Sequence, residues 1–452
     1  MPTKTLRTSH SPRSDANWRA ERTSAVANEA LFAAIREGVT AYCAASHNTA
    51  FDPLLPVVRL HEPTFGADEI NAALECLLTV HVTMGQKVLD FERAFTGKFG
   101  WRHGVMSNSG SSANLLAVAA LANHATEDRL RPGDEVIVPA LSWSTTVWPL
   151  IQHGLKPVIV DIDPQTLNID PGAVERAIGP KTRAVMIVPV YGNPCDMDAI
   201  TDICARRKLV LIEDCCEALG AYYNGIPVGK FGRVSTFSFY YSHHMTTLEG
   251  GITVTDDFEL SELMRILRAH GWTREVEDKQ RWHDIYPEFD PRFLFVNLGY
   301  NLRPTELAGS MGLAQLPKLN EFVRIRRDNA DWFRQALSRF EEMFSFQNEH
   351  PKGKSSWFGF PLILKDNAPF TVAELTGHLN AAGIETRPII CGNIARQPGL
   401  QHYEHRVSGE MVNANIVMNR AFSFGNHQAI GDAARLHVVE QIERFLKGRG
   451  LA

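Results

Sequence analysis

Short apolar runs alternate with amphipathic stretches through the middle of the chain. Four of these runs have the length of a buried strand: 134–140, 156–163, 182–192 and 209–214. Between them, residues 111–125 and 196–208 carry apolar positions at helical spacing. Because strands that alternate with helices form parallel sheets, this pattern predicts a mostly parallel α/β sheet with crossover helices.

The pattern changes towards the C-terminus. A long helical stretch is followed there by a strand, a helix and a second strand: 321–340, 357–364, 371–383 and 384–390. We therefore predict a large domain over residues 55–310 and a smaller α+β domain over residues 311–452. Residues 1–54 are predicted to hold a polar arm and a leading helix at 24–45. An organelle transit peptide is the alternative interpretation of the arm.

The composition is that of an ordinary globular protein, with 44% hydrophobic and 21% charged residues among 452. A net charge of -5 gives no electrostatic reason to expect nucleic acid or an anionic membrane as the main partner. The seven cysteines form no CxxC pair, which suits a reducing compartment. No apolar run approaches the roughly 18 residues of a membrane span. We expect a cytoplasmic protein.

Residues 108–114, with the sequence NSGSSAN, directly precede an Ala- and Leu-rich helix. Their hydroxyls and the free N–H groups of the helix start would meet at the positive end of the helix dipole, where phosphate binds favourably. Gly110 and Ser111 are the candidate contacts. A serine N-cap with a flexible approach is the alternative explanation.

Three further positions could complete a cofactor site. Asp214 ends a predicted strand, at the edge where open α/β sheets bind ligands, although it could also cap the next helix. Trp143 follows another strand and could stack on a planar ring or pack in the core. Together with Ser238 they offer what pyridoxal phosphate requires: donors for the phosphate, an anion for the pyridine nitrogen and a flat surface.

The combined motifs resemble those of the DegT/DnrJ/EryC1/StrS sugar aminotransferase family. They are SGSSAN at 109–114, SWSTT at 142–146, EDCCEALGA at 213–221, SFYYSHH at 238–244 and EGG at 249–251. The resemblance covers nearly everything after about residue 55. It implies fold type I of the pyridoxal phosphate enzymes, which is aspartate aminotransferase-like: a mostly parallel seven-stranded sheet flanked by helices, plus a smaller α+β C-terminal domain.

One position departs from the aminotransferases of this family. Their cofactor-bonding lysine stands five residues after the phosphate-binding serine and six before the glutamate of EGG. Counted from Ser238 and from Glu249, that position is His243. A histidine there resembles the family's nucleotide-sugar 3-dehydratases, which use pyridoxamine phosphate. Imidazole forms no stable Schiff base but moves a proton near neutral pH, so the resemblance implies a catalytic role for His243.

The neighbouring His244 receives no role from the resemblance. The two histidines could also form a metal site. This interpretation is weak, because adjacent residues on an extended strand point opposite ways and no nearby Cys/His cluster completes a site. We therefore expect no metal.

The cysteines distinguish two kinds of 3-dehydratase. One kind holds a [2Fe-2S] cluster on four cysteines and takes electrons from a reductase. Cys216 matches the first ligand, but no cysteine occurs between Cys216 and Cys391, so the other three are absent. We expect neither a cluster nor a reductase partner.

Three C-terminal stretches are similar to the cluster-free kind: SSWFGF at 355–360, AGIETRPIICGN at 382–393 and FGNHQ at 424–428. That kind acts on GDP-4-keto-6-deoxymannose and regenerates pyridoxamine phosphate from pyridoxal phosphate with L-glutamate as amino donor. The resemblance therefore implies removal of the C3 hydroxyl of a nucleotide-linked 4-keto-6-deoxy sugar. The product, a 4-keto-3,6-dideoxy sugar, would serve deoxysugar and O-antigen biosynthesis.

The resemblance also implies roles for residues around the cofactor. Glu217 would lie near the ring's 3′-oxygen, and Asn301 would reach the phosphate of the other subunit of a homodimer. Glu385, Arg387 and Asn393 would face the substrate. The alternatives are a solvent-facing helix glutamate at 217, a turn-filling asparagine at 301 and structural ion pairs in the last group.

Two other functions compete with the dehydratase. The chain could be an ordinary sugar aminotransferase, but no lysine occurs between Lys230 and Lys279 to bond the cofactor. It could also be an inactive scaffolding paralogue that keeps the fold. The joint presence of the phosphate, ring and anion residues argues against that second possibility.

Overall fold

A computed structural model describes residues 15–47 and 49–451, with side chains from residue 28 onward. The helices of this part are α1 Asp15–Ser46, α2 Ala67–Leu78, α3 Gln86–Phe99, α4 Gly110–Ala122, α5 Ser144–Gln152, α6 Pro171–Ala177, α7 Met197–Arg207, α8 Phe258–Arg268, α9 Lys279–Ile285, α10 Glu306–Gln315, α11 Leu319–Leu337, α12 Val372–Ala381, α13 Val412–Arg420 and α14 Asp432–Lys447. The leading helix thus begins at Asp15, earlier than predicted. The rest of the predicted polar arm lies outside the described residues.

The strands are β1 His103–Ser107, β2 Glu135–Pro139, β3 Lys156–Val160, β4 Thr182–Ile187, β5 Val210–Asp214, β6 Tyr222–Tyr223, β7 Ile226–Pro227, β8 Val234–Ser238, β9 Gly251–Thr255, β10 Phe344–Phe346, β11 Gly353–Lys354, β12 Gly359–Leu364, β13 Thr386–Arg387, β14 Arg406–Ser408 and β15 Ala421–Gly425. The four strands predicted from the apolar runs are β2, β3, β4 and β5. Their residues are almost all buried, as expected for strands covered on both faces.

The main sheet has the order β1-β9-β8-β5-β4-β2-β3-β14. All neighbouring pairs are parallel except those that β9 makes with β8 and β1, so the predicted mostly parallel sheet is confirmed. The described residues give it eight strands rather than seven. The additional strand, β14, comes from the C-terminal part of the chain and pairs with the edge strand β3.

A second, four-stranded sheet of order β10-β12-β15-β13 lies in the C-terminal part, and a small three-stranded sheet joins β11, β6 and β7. Helices α11, α12 and α14 pack on the four-stranded sheet through Phe333, Leu379 and Ile442, which are fully buried. No helix within the described residues is long and apolar enough to span a membrane.

The topology brings most of the predicted site residues to one edge of the main sheet. Strands β1, β2, β4, β5 and β8 run in the same direction, so their carboxyl ends meet there. Helix α4 begins just after β1. The loop 239–250 connects β8 to its antiparallel neighbour β9 and carries both histidines.

Candidate active site

A cavity of about 370 Å³ opens at this edge of the sheet. It lies beside the first turn of α4, the end of β5 and the 239–250 loop. Eight of the residues predicted from the sequence line it: Gly110, Ser111, Trp143, Asp214, Glu217, Ser238, His243 and Arg387. The structure therefore gathers residues that are up to 277 positions apart in the chain, from Gly110 to Arg387 (387 − 110), around one space.

The N-terminus of α4 forms one end of the cavity. Ser109 is its N-cap, and the Ser109 hydroxyl accepts a hydrogen bond from the Ser112 N–H at 3.0 Å. A methyl group on Gly110 would come within 2.5 Å of the Ser238 Cβ and 2.8 Å of its hydroxyl oxygen. The absence of a side chain at Gly110 thus keeps the Ser238 hydroxyl close to the positive end of α4, and hydroxyl and N–H donors at such an end are the groups that bind a phosphate. The serine N-cap that we gave as the alternative explanation is also present, because Ser109 directly precedes Gly110.

Asp214 is held rigidly at the end of β5. One carboxylate oxygen accepts hydrogen bonds from the Asn114 amide at 2.8 Å and the Thr146 hydroxyl at 2.7 Å. The other accepts a bond from the Cys216 backbone N–H at 3.2 Å. Asn114 and Thr146 belong to the SGSSAN and SWSTT motifs, but their part in holding Asp214 becomes visible only when α4 and α5 pack against β5.

Trp143 lies at the N-cap of α5 and lines the cavity, with 57% of its surface exposed. The alternative that it packs in the core is therefore wrong. The cavity thus combines hydrogen-bond donors for a phosphate, a fixed carboxylate and a flat aromatic surface. These groups fit pyridoxal or pyridoxamine phosphate.

His243 lies on the wall of the cavity with a defined ring orientation. Its Nδ1 lies 2.8 Å from the Cys216 carbonyl oxygen. A carbonyl can only accept, so Nδ1 donates, and Nε2 carries the lone pair when the ring is neutral. Burial lowers the pKa of His243 to about 4, with Arg387 and Arg326 acting in the same direction. At neutral pH the imidazole is therefore uncharged, with an unprotonated Nε2.

Glu217 and Arg387 face each other across the cavity. The Tyr191 backbone N–H donates to the Glu217 carboxylate at 3.2 Å, and burial raises the pKa of this carboxyl to about 7. Arg387 stacks between two rings, with its guanidinium carbon 5.6 Å from the centre of Tyr191 and 5.1 Å from that of Phe358. Within the described residues no carboxylate forms an ion pair with Arg387. Its charge therefore remains available to an anionic ligand.

The raised pKa of Glu217 has a measurable effect on stability. Its carboxyl holds a proton up to about pH 7 in the folded protein, but only to about pH 4.5 in the unfolded chain. The folded state therefore binds more protons in this interval, and its stability falls as the pH rises from about 5 to above 7. We expect the Glu217→Gln variant to show a flatter dependence of melting temperature on pH. Thermal unfolding of the cofactor-free protein measures this difference.

The matched control is Glu175→Gln, which changes a glutamate whose pKa is lowered by Arg206 on the surface. This carboxylate is charged in both states above about pH 5.5, so the slope of the wild type should remain. An identical slope in wild type and Glu217→Gln would show that Glu217 is ionised throughout.

Three predicted residues do not line this cavity. The Asn301 side chain is exposed and accepts a hydrogen bond from the Arg303 guanidinium at 3.0 Å. The Glu385 carboxylate accepts one from the Leu60 N–H at 2.9 Å. Asn393 is buried, where its amide donates to Asn415 at 3.0 Å. The substrate-binding roles of Glu385 and Asn393 stay predictions, without support from this geometry.

Phe358 is among the cavity-wall residues that sequence reasoning did not single out. The Phe358 ring lies 5.1 Å from the ring of His243, edge to face. It lies within the SSWFGF stretch that suggested the cluster-free dehydratases. However, nothing in the local pattern of that stretch shows that it folds back onto the histidine loop.

Comparison with known proteins agrees with the family resemblance found in the sequence. Residues 63–443 match the model of the DegT/DnrJ/EryC1/StrS aminotransferase family. The GDP-4-keto-6-deoxy-D-mannose 3-dehydratase of Yersinia pseudotuberculosis is 43% identical over 373 residues, which cover 82% of this chain and 94% of the relative.

Two solved structures are similar to the fold as a whole. The E. coli GDP-4-keto-6-deoxy-D-mannose 3-dehydratase with bound hydrated PLP superimposes with a TM-score of 0.78 and 38% identity, over 86% of this chain and 98% of that one. A structure of GDP-4-keto-6-deoxymannose 3-dehydratase with a trapped PLP-glutamate geminal diamine gives 0.78 and 37%, over 85% and 100%. The fold predicted from the sequence is confirmed, and the chain belongs to the DegT/DnrJ/EryC1/StrS aminotransferase family.

Proposed function

We propose that the chain is a nucleotide-sugar 3-dehydratase that uses pyridoxamine phosphate and acts on GDP-4-keto-6-deoxymannose. The observation that carries this proposal is the side chain at the position of the family's lysine. It is the half-buried, neutral imidazole of His243, with Nε2 as its basic atom. The names of the relatives in Yersinia and E. coli agree with this choice of reaction and substrate.

Different residues of the cavity would hold different parts of the cofactor. The first turn of α4, with Ser111 and Ser238, would bind the phosphate, and Asp214 would pair with the pyridine nitrogen. Trp143 would lie against the ring, and Glu217 would donate its proton towards the 3′-oxygen. When bound, pyridoxamine phosphate supplies an amine that condenses with the sugar ketone and a ring that accepts electrons.

His243 then moves protons between two atoms. Its Nε2 would take a proton from the C4′ carbon of the bound cofactor, and the imidazolium would donate that proton to the C3 hydroxyl of the sugar, which would leave as water. The low pKa of the free imidazole makes the protonated form a strong acid, which favours the second transfer.

L-Glutamate closes the cycle by restoring the amine. In the net reaction the sugar gains a hydrogen at C3 in place of the hydroxyl, and glutamate becomes 2-oxoglutarate and ammonia. Glutamate thus provides the two reducing electrons, and no reductase is needed. Arg387 is the cation that binds the glutamate carboxylate or the diphosphate of the sugar nucleotide.

We also propose a homodimer in which Asn301 reaches the phosphate of the second copy. Its side chain is exposed and lies outside the cavity of its own chain. The preceding segment exposes large apolar side chains that a second copy would cover: Phe289, Phe293, Phe295 and Leu298. Light scattering should give twice the mass of one chain; a monomer at micromolar concentration would contradict this assembly.

The proposed pathway is deoxysugar synthesis for lipopolysaccharide, in the cytoplasm. The test of the reaction is an incubation of the purified protein with pyridoxamine phosphate, GDP-4-keto-6-deoxymannose and L-glutamate. Mass spectrometry should show loss of the C3 hydroxyl together with equimolar 2-oxoglutarate. Formation of an amino sugar instead would assign the chain to the aminotransferases. Absence of either product would favour an inactive paralogue.

A further inference from the structure

The segment 355–358 is fixed in place beside the cavity by polar side chains from other parts of the chain. Each of its four backbone carbonyls accepts a hydrogen bond from a different side chain. These donors are Arg327 to Ser355 at 2.7 Å, His244 to Ser356 at 3.1 Å, Asn426 to Trp357 at 3.1 Å and Arg326 to Phe358 at 3.0 Å. Such complete pairing gives the segment a single conformation, because a buried carbonyl without a partner is costly.

This segment carries the ring that contacts the catalytic histidine. Phe358 lies 5.1 Å from the ring of His243 and 5.1 Å from the guanidinium of Arg387. Its position therefore affects both the orientation of the imidazole and the access of water to it. A shift of this ring would loosen His243, whose own fixed contact is the Cys216 carbonyl.

We infer that His244 is a positioning residue for His243, acting through Ser356 and Phe358. Its Nε2 donates to the Ser356 carbonyl, and its ring lies 5.8 Å from that of Phe358. His244 is fully buried, and its Nδ1 has no hydrogen-bond partner within the described residues. The inference rests on the proposed function, because it concerns the same histidine and the same reaction.

The chemistry of the contact explains a histidine at this position. The carbonyl can only accept, so the neutral ring must carry its proton on Nε2. Burial and the nearby Arg326 both lower the pKa of His244 well below its usual value and keep the ring neutral. A flat, neutral donor of this size can bond the carbonyl and pack on Phe358 at the same time. The adjacent histidines therefore have different tasks, although the sequence shows them as a pair.

The test compares variants that remove or keep this donor. His244→Leu removes the hydrogen bond and retains much of the bulk, whereas His244→Gln keeps an amide donor near the position of Nε2. The matched control is His378→Leu in α12. His378 donates to the Gln441 carbonyl at 3.1 Å and packs 5.5 Å from Phe445, but it lies in the C-terminal domain.

The measurement is the ¹⁵N NMR spectrum of the His243 imidazole in the cofactor-free protein, assigned by loss of its signal in a His243→Asn variant. The charged groups that act on this imidazole are Arg387 and Arg326, and no variant changes them. In the wild type and His244→Gln we expect the Nδ1–H tautomer and a pKa of about 4. In His244→Leu we expect mixed tautomers and a pKa shifted towards the usual 6.5, because water reaches the ring.

His378→Leu should lower the melting temperature and leave the His243 signal unchanged. The same unchanged signal in His244→Leu would overturn the inference and leave His244 a structural residue only. If His244→Leu does not fold, the Phe358→Leu variant is measured instead, because it loosens the contact between the side chain of residue 358 and His243. An unchanged His243 signal in Phe358→Leu would also overturn the inference. Because the protein is free of cofactor, this result does not depend on which sugar reaction the enzyme performs.

With the loaded enzyme, His244→Leu should lower kcat roughly ten- to hundred-fold with little change in KM, as expected for a displaced proton-transfer group. His244→Gln should recover most of this loss. A change confined to KM would place His244 in substrate binding and would also contradict the inference.

Discussion

Replacement of His243 by asparagine should lower kcat for loss of the C3 hydroxyl by about 10²–10⁴-fold, the range that general acid–base catalysis contributes. Asparagine can still donate to the Cys216 carbonyl, so the loop should keep its shape. What disappears is the basic Nε2. The measurement is a single turnover of enzyme preloaded with pyridoxamine phosphate, with the deoxygenated sugar followed by mass spectrometry.

Two controls distinguish the loss of a catalytic base from misfolding of the His243→Asn variant. The variant should bind pyridoxamine phosphate with the affinity of the wild type, because the proposed phosphate and ring contacts come from other residues. His378→Asn, which removes a histidine from helix α12, should keep wild-type turnover. If His243→Asn turned over within about threefold of the wild type, another group would have to be the base.

The pH profile adds a third check. Since the free imidazole has a pKa of about 4, kcat/KM of the wild type should show no loss from His243 protonation above about pH 5. A decline centred near pH 6.5 would mean that His243 is more hydrated than its burial implies.

Substitution of Gly110 by alanine should weaken binding of pyridoxamine phosphate by roughly 5- to 150-fold. The new methyl group would lie 2.5 Å from the Ser238 Cβ and 3.1 Å from the Cys216 sulfur. Overpacking of this kind typically costs about 1–3 kcal/mol, and a loss of binding free energy of that size corresponds to the stated range of affinity. The methyl group would push the Ser238 hydroxyl away from the proposed phosphate site. Isothermal titration of the cofactor-free protein measures the change.

A second glycine-to-alanine change provides the control. Gly97 lies inside helix α3, and a methyl group there would meet nothing within 4 Å. Gly97→Ala should therefore leave cofactor affinity unchanged and stabilise the helix by roughly 0.5–1 kcal/mol. Equal affinities in Gly110→Ala and the wild type would place the phosphate elsewhere in the cavity.

The local pattern of apolar residues was sufficient to predict the buried strands of the main sheet. Strands β2 to β5 are buried on both faces, so each appears in the sequence as an uninterrupted apolar run. The position of Asp214 at a strand end followed from the same run. The proposal of His243 came from the family resemblance, because its spacing from Ser238 and Glu249 is that of the family's lysine.

Contacts between distant segments could not be predicted in this way. The Asn114 and Thr146 bonds to Asp214 join three separate elements, and only their packing creates them. Phe358 reaches His243 across 115 positions (358 − 243), and no period or spacing in the sequence records such a contact. The proposed role of His244 could not be predicted for the same reason, since its partner Ser356 lies on that distant segment.

The eighth strand of the main sheet, β14, can pair with β3 only late in the synthesis of the chain. Until residues 406–408 leave the ribosome, the outer edge of β3 has no neighbour, and an open strand edge is a template for pairing with other chains. The Asp161 carboxylate then fixes the chain just beyond β14 by accepting hydrogen bonds from the Asn413 and Ala414 N–H groups at 2.9 Å. A chain that stops short of this point would contain every cavity residue named above and still be prone to aggregate.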